Sequence, residues 1–73
     1  MQVRLDLPAR TVTVTTNGLT RVDCLIDGHP GSSSVVGRNA KVTFGFPAAT
    51  GAVELLGFAG ETLRQRRRIA VGS

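Results

Sequence analysis

A chain of 73 residues with a net charge of +4 has room for one small core and no second domain. Cys24 is its only cysteine, which excludes an internal disulfide and any cysteine-rich metal site. Three Phe, neither Trp nor Tyr, and many Val, Thr and Gly suit strands and turns rather than helices.

Residues 2–7 place Val3, Leu5 and Leu7 on one face against Arg4 and Asp6, and Pro8 then removes a ladder donor, so a first, edge strand is predicted. Residues 11–16 repeat the pattern, with Val12 and Val14 against Thr11, Thr13 and Thr15. Asn17-Gly18 tolerates the positive φ of a two-residue hairpin turn, so the second and third strands are predicted to be hairpin neighbours. The third strand, 20–27, sets Val22, Cys24 and Ile26 inside and Arg21, Asp23, Leu25 and Asp27 outside; Cys24 reads as a small buried apolar residue. Asp27-Gly28 ends it. His29-Pro30-Gly31 and the three serines that follow predict a long polar connection, with at most a brief strand at 34–36.

Residues 41–46 carry Val42, Phe44 and Phe46 on one face, each stabilising the fold on burial by roughly 1.5–3 kcal/mol before chain entropy is subtracted. The last third, 51–71, reads as two strands turned at Gly60-Glu61. Val53, Leu55, Gly57 and Ala59 share one parity, with Glu54, Leu56 and Phe58 on the other; on the return, Leu63, Ile69 and Val71 oppose Arg64, Arg66 and Arg68. Arg67 has the inward parity of Ile69 and Val71, which a buried strand does not tolerate, so a bulge or a protruding strand is predicted near 65–67.

Six or seven strands separated by turns about every 8–12 residues make an all-β chain, as a sandwich or a small barrel. The run from Arg21 to Gly28 (RVDCLIDG), Lys41 to Phe46 (KVTFGF), Gly51 to Glu61 (GAVELLGFAGE) and a final strand ending in Val resemble the third, fifth, sixth and seventh strands of bacterial immunoglobulin-like and fibronectin-type-III-like domains. The resemblance implies one small immunoglobulin-like β-sandwich of six to seven antiparallel strands over 1–73, with the third, sixth and seventh strands as neighbours. A small β-barrel is the alternative. The chain departs from the family in its shortness, in lacking a buried Trp and paired cysteines, and in the charged start of its final strand.

His29 is the only histidine. Ser32, Ser33 and Ser34 lie near it, but no third group orients it, so it reads as a solvated loop residue. Asp23 and Asp27, with Asp6 or Glu54, do not converge as a hard cation requires. Gly28 and Gly31 lack the Lys and following helix of a phosphate loop. No cofactor or metal is therefore expected. The row Arg64, Arg66, Arg68 is the most informative polar feature, its bland reading being a charged edge that discourages aggregation. If the third, sixth and seventh strands are neighbours, Leu25, Leu56 and Phe58 stand outward beside that row, and an apolar group rimmed by arginines suits a protein partner with an acidic surface.

The expectation is thus a non-catalytic structural or interaction module that binds a protein through Leu25, Leu56, Phe58, Arg64, Arg66 and Arg68. The resemblance implies an accessory or decoration component of a tailed-phage-like particle, set against a capsid or tail protein, with homo-oligomer formation open. The alternative is a small basic barrel that holds nucleic acid through phosphate contacts. No apolar run is long enough for a signal peptide or a membrane span, so a virion or cytoplasmic location is expected and a membrane is not.

Overall fold

Two antiparallel sheets face each other across one apolar core in the computed structural model, which describes residues 1–37 and 39–72. In chain order the strands are β1 (Gln2–Asp6), β2 (Thr11–Asn17), β3 (Arg21–Ile26), β4 (His29–Val35), β5 (Asn39–Gly45), β6 (Ala52–Ala59) and β7 (Thr62–Ala70). The first sheet runs β1-β2-β5 and the second β4-β3-β6-β7. The described residues form an all-β sandwich of seven strands, and β3, β6 and β7 are adjacent, as the resemblance implies. No helix of the described residues is long and apolar enough to cross a membrane.

The two-residue rhythm decides what each strand hides. Val12 and Val14 of β2 and Phe44 of β5 meet Val22 and Cys24 of β3 and Val53 and Leu55 of β6, while Leu19, Val36 and Phe46 close the core from the connections. Glu54, Leu56 and Phe58 alternate with the buried side of β6 and are only half-buried. Alternation of this kind fixes register, because a slip by one residue would turn the whole apolar set to water.

The predicted hairpin at Asn17-Gly18 is corrected by the structure. Asn17 ends β2 opposite Asn39 in the first sheet, and Arg21 starts β3 in the second, so this segment crosses between sheets. Gly18 has φ +80 but Asn17 keeps a negative φ, whereas a type I′ hairpin needs both positive. The cause is Leu19, which is buried between the sheets. It packs so close to Gly57 that a Cβ there would lie 2.6 Å from Leu19 Cδ1. Thr20 then ties the crossing down: its N–H donates to the Phe58 carbonyl (2.8 Å) and its hydroxyl accepts from the Gly60 N–H (2.8 Å).

The second correction concerns the predicted polar connection and brief strand after Asp27-Gly28. Asp27 (φ +51) and Gly28 (φ +82) form a two-residue hairpin turn with both φ positive, and β4 follows at once, pairing with β3. Serines and Pro30 are compatible with a strand here because β4 is an exposed sheet edge, where a missing N–H and polar side chains cost little. Gly31 is the extra residue of a bulge between the pairs Cys24↔Ser32 and Leu25↔Pro30. Asp27 also fastens β6: its Oδ1 accepts from the N–H groups of Gly51 and Ala52, both at 2.9 Å.

The hairpin at Gly60-Glu61 forms as expected, but its bulge lies earlier than 65–67. Phe58 pairs with Leu63 and Gly57 with Gln65, leaving Arg64 as the unpaired extra residue. The shift moves Leu63 onto the outer face beside Phe58, so its predicted inward parity is corrected, and Arg64 leaves the regular row. Past the bulge, Arg67 opposes Leu55 on the inner side yet stays exposed. The first sheet has three strands and the second four, so an edge strand of the wider sheet extends past its cover.

Candidate interaction face

Register places three rungs across the outer face of the four-stranded sheet, because directly opposed residues in antiparallel strands share a face. Val35, Arg21, Phe58 and Leu63 form the first; Ser33, Asp23, Leu56 and Arg66 the second; Pro30, Leu25, Glu54 and Arg68 the third. Leu25, Leu56 and Phe58 therefore do share a face with Arg66 and Arg68, while Arg64 sits in the bulge. The apolar residues are staggered between charges instead of forming a continuous patch.

Those charges partly neutralise one another. The Arg21 guanidinium lies over the Phe58 ring, 4.2 Å from its centroid, and its Nε is 3.2 Å from Asp23 Oδ1. Ser33 donates its hydroxyl to the same carboxylate oxygen at 2.6 Å. Arg66 Nη2 donates to Glu54 Oε2 at 3.2 Å. Among the described residues, Arg64, Arg67 and Arg68 have no carboxylate within ion-pair distance. β7 is exposed along its whole length except at Ile69, and among the described residues it has no neighbour on its far side.

Among the described residues three large apolar side chains stay exposed: Val35 (87 %), Leu7 (53 %) and Leu63 (47 %). Val35 and Leu63 cap the two ends of the Arg21–Phe58 rung. Sequence reasoning missed them as members of this face, since one lay in a brief expected strand at 34–36 that was assigned no neighbour and the other was assigned the opposite parity. Arg21 was also missed. Its parity was legible, but its place over Phe58 depends on the β3–β6 register, which no local signal carries.

The remaining reactive residues are spent or dispersed. Burial raises the Cys24 thiol above its ordinary pKa, away from the thiolate form. His29 is exposed at the start of β4, and the Ser33 hydroxyl is committed to Asp23. Among the described residues no three of His, Cys, Asp and Glu converge on a point where a metal ion would sit. Comparison with protein-family models, with curated proteins and with solved structures gives no match for this chain.

Proposed function

We propose that the chain is a non-catalytic binding module that docks a protein partner with an acidic surface on the outer face of β3, β6 and β7. The observation that carries this is β7: nine residues at an open sheet edge, exposed except at Ile69, with four arginines of which three lack an internal carboxylate. Leu56 and Phe58, flanked by Leu25 and Leu63, supply apolar area, and Arg66 and Arg68 supply the complementary charge. Within that class, the resemblance to immunoglobulin-like and fibronectin-type-III-like domains, which the adjacency of β3, β6 and β7 supports, implies an accessory or decoration component of a phage-like particle.

The net charge of +4 favours one second reading, contact with nucleic-acid phosphates. Single-stranded binding draws on exposed aromatics for base stacking, and the one aromatic of this face is covered by Arg21. Titration across a salt series with a glutamate-rich peptide and with a mixed-sequence oligonucleotide separates the readings. Binding of the peptide, lost in Phe58→Asp and in the Arg66→Glu/Arg68→Glu pair while the β-rich circular dichroism persists, is the expected result. Tight oligonucleotide binding that weakens steeply with salt, with no peptide binding, gives the function to phosphate recognition instead.

A further inference from the structure

The backbone of β7 sharpens the chemistry of that partner. The Asp27 N–H donates to the Ala52 carbonyl at 3.0 Å, so Ala52 turns its polar groups toward β3, away from its β7 partner Ala70. On the next residue pair the Val71 N–H donates to the Gly51 carbonyl at 3.0 Å, back toward β6. Antiparallel ladders alternate between residues that exchange hydrogen bonds and residues that do not. Continued along the register, this alternation gives Ile69, Arg67 and Gln65 to β6 and leaves the N–H and C=O groups of Ala70, Arg68 and Arg66 facing the open edge. The side chains of Arg66 and Arg68 stand on the outer face beside those free groups.

We propose that β7 accepts an extended acidic segment as an added antiparallel strand, hydrogen-bonded to Arg66, Arg68 and Ala70 with its carboxylates opposite the two arginines. The proposal rests on the acidic-partner reading above and adds the geometry of capture. Residues 65–70 give a straight edge of roughly 20 Å past the bulge, enough for a five- or six-residue strand. Arg67, on the inner side of the same stretch, borders an open depression of about 1140 Å³ whose walls mix Met1, Val3 and Leu5 with Arg4, Lys41 and the outward-facing threonines of β2. Carboxylates outward therefore suit Arg66 and Arg68, and β-branched residues between them favour the extended form.

Charge also selects against the commonest competitor for an open edge. A second copy pairing antiparallel through its own β7 sets arginine against arginine, which is destabilising for directly opposed residues. The same arginines favour an acidic strand. Guarding and recognition are then one device, in which repulsion excludes self-pairing and attraction admits a different partner.

The test uses the intact chain and a synthetic peptide that alternates glutamate with valine, in three forms: unmodified, N-methylated at every glutamate, and N-methylated at every valine. An antiparallel addition places the glutamates in the hydrogen-bonded pairs with Arg66 and Arg68, so methylating them removes the donors that β7 needs. Binding by the unmodified peptide, a loss of about tenfold or more with glutamate methylation and nearly full affinity with valine methylation is the expected result. Amide hydrogen exchange of Arg66, Arg68 and Ala70, fast in the free chain, slows on peptide addition. Equal affinities for the two methylated forms overturn strand addition, and the acidic-partner reading then survives only if Arg66→Glu/Arg68→Glu still abolishes binding. A peptide that fails to bind in all three forms overturns both.

Discussion

β6 and β7 are the two arms of one hairpin, yet they behave as parts of different proteins. Val53 and Leu55 are fully buried, while Arg67, directly opposite Leu55 and on the same side of the sheet, is exposed. The difference is one of cover. β6 lies inside the four-stranded sheet and under the smaller one, whereas β7 has a neighbour on one side only. β4, at the other edge, is equally bare. Alternation in a sequence therefore says which residues share a face, but only the opposing layer says whether that face is dry.

The largest expected effect breaks the hairpin's symmetry at a single rung. Leu55→Ala deletes a fully buried side chain and is expected to cost about 2–5 kcal/mol in chemical denaturation. Arg67→Ala, across the strand pair, is expected to change stability by no more than about 0.5 kcal/mol. Comparable losses at the two sites would show that β7 is covered after all. Next in size is Gly57→Ala, where the new methyl meets Leu19 Cδ1 at 2.6 Å. Overpacking there is expected to cost about 1–3 kcal/mol. Trimming the obstacle with Leu19→Ala in the same chain makes the two changes non-additive, the double variant losing less than the sum.

That Leu19–Gly57 contact also shows where sequence reasoning stops. The strands with a covered face, β2, β3, β5 and β6, were legible because burial forces Val12/Val14, Val22/Cys24, Val42/Phe44 and Val53/Leu55 into a period of two. Asn17-Gly18 looked like a hairpin for sound local reasons, but a turn signal carries no information about which sheet the next strand joins. Leu19, a lone apolar residue inside the turn, was the clue that the chain dives through the core there. β4 was read as a connection with at most a brief strand at 34–36, because an edge strand with no covered face has no alternation to detect. On the candidate face, the parity of Leu25, Leu56, Phe58, Arg66 and Arg68 was readable. Its rungs were not, since a bulge at Arg64 shifts every later pairing, and no residue type announces it.

A smaller effect, read through pH, tests the dryness of the centre. Cys24 opposes Leu55 on β3, and burial holds its thiol above the ordinary value of 9.0. Below that value the folded and unfolded chains both keep the proton, so the thiol adds no pH dependence. As pH rises past it, the unfolded chain releases a proton that the folded chain retains, and stability falls until the folded thiol itself titrates. The slope from this one group is at most about 1.4 kcal/mol per pH unit. Equilibrium denaturation of wild type and Cys24→Ala from neutral to alkaline pH is expected to show the decline in wild type and its reduction in the variant, whatever the variant's baseline stability.

The smallest effect on stability falls at the arginines, and its smallness is what separates edge from core. Arg66 pairs with Glu54 across the strands at 3.2 Å, with the arginine side chain 66 % exposed. Exposed pairs of this kind contribute about 0–1 kcal/mol, because water and side-chain entropy offset the attraction. Arg66→Ala is accordingly expected to shift the denaturation midpoint slightly, and Arg68→Ala, with no carboxylate in range, less still. If the arginines served only to hold β7 on β6, Arg66→Ala would be the damaging change and Arg68→Ala silent in every assay. If they face a partner, both variants lose affinity for the glutamate–valine peptide while the fold barely registers either. Arg68 then becomes the more informative residue, since among the described residues it makes no ion pair within the chain and its removal breaks none.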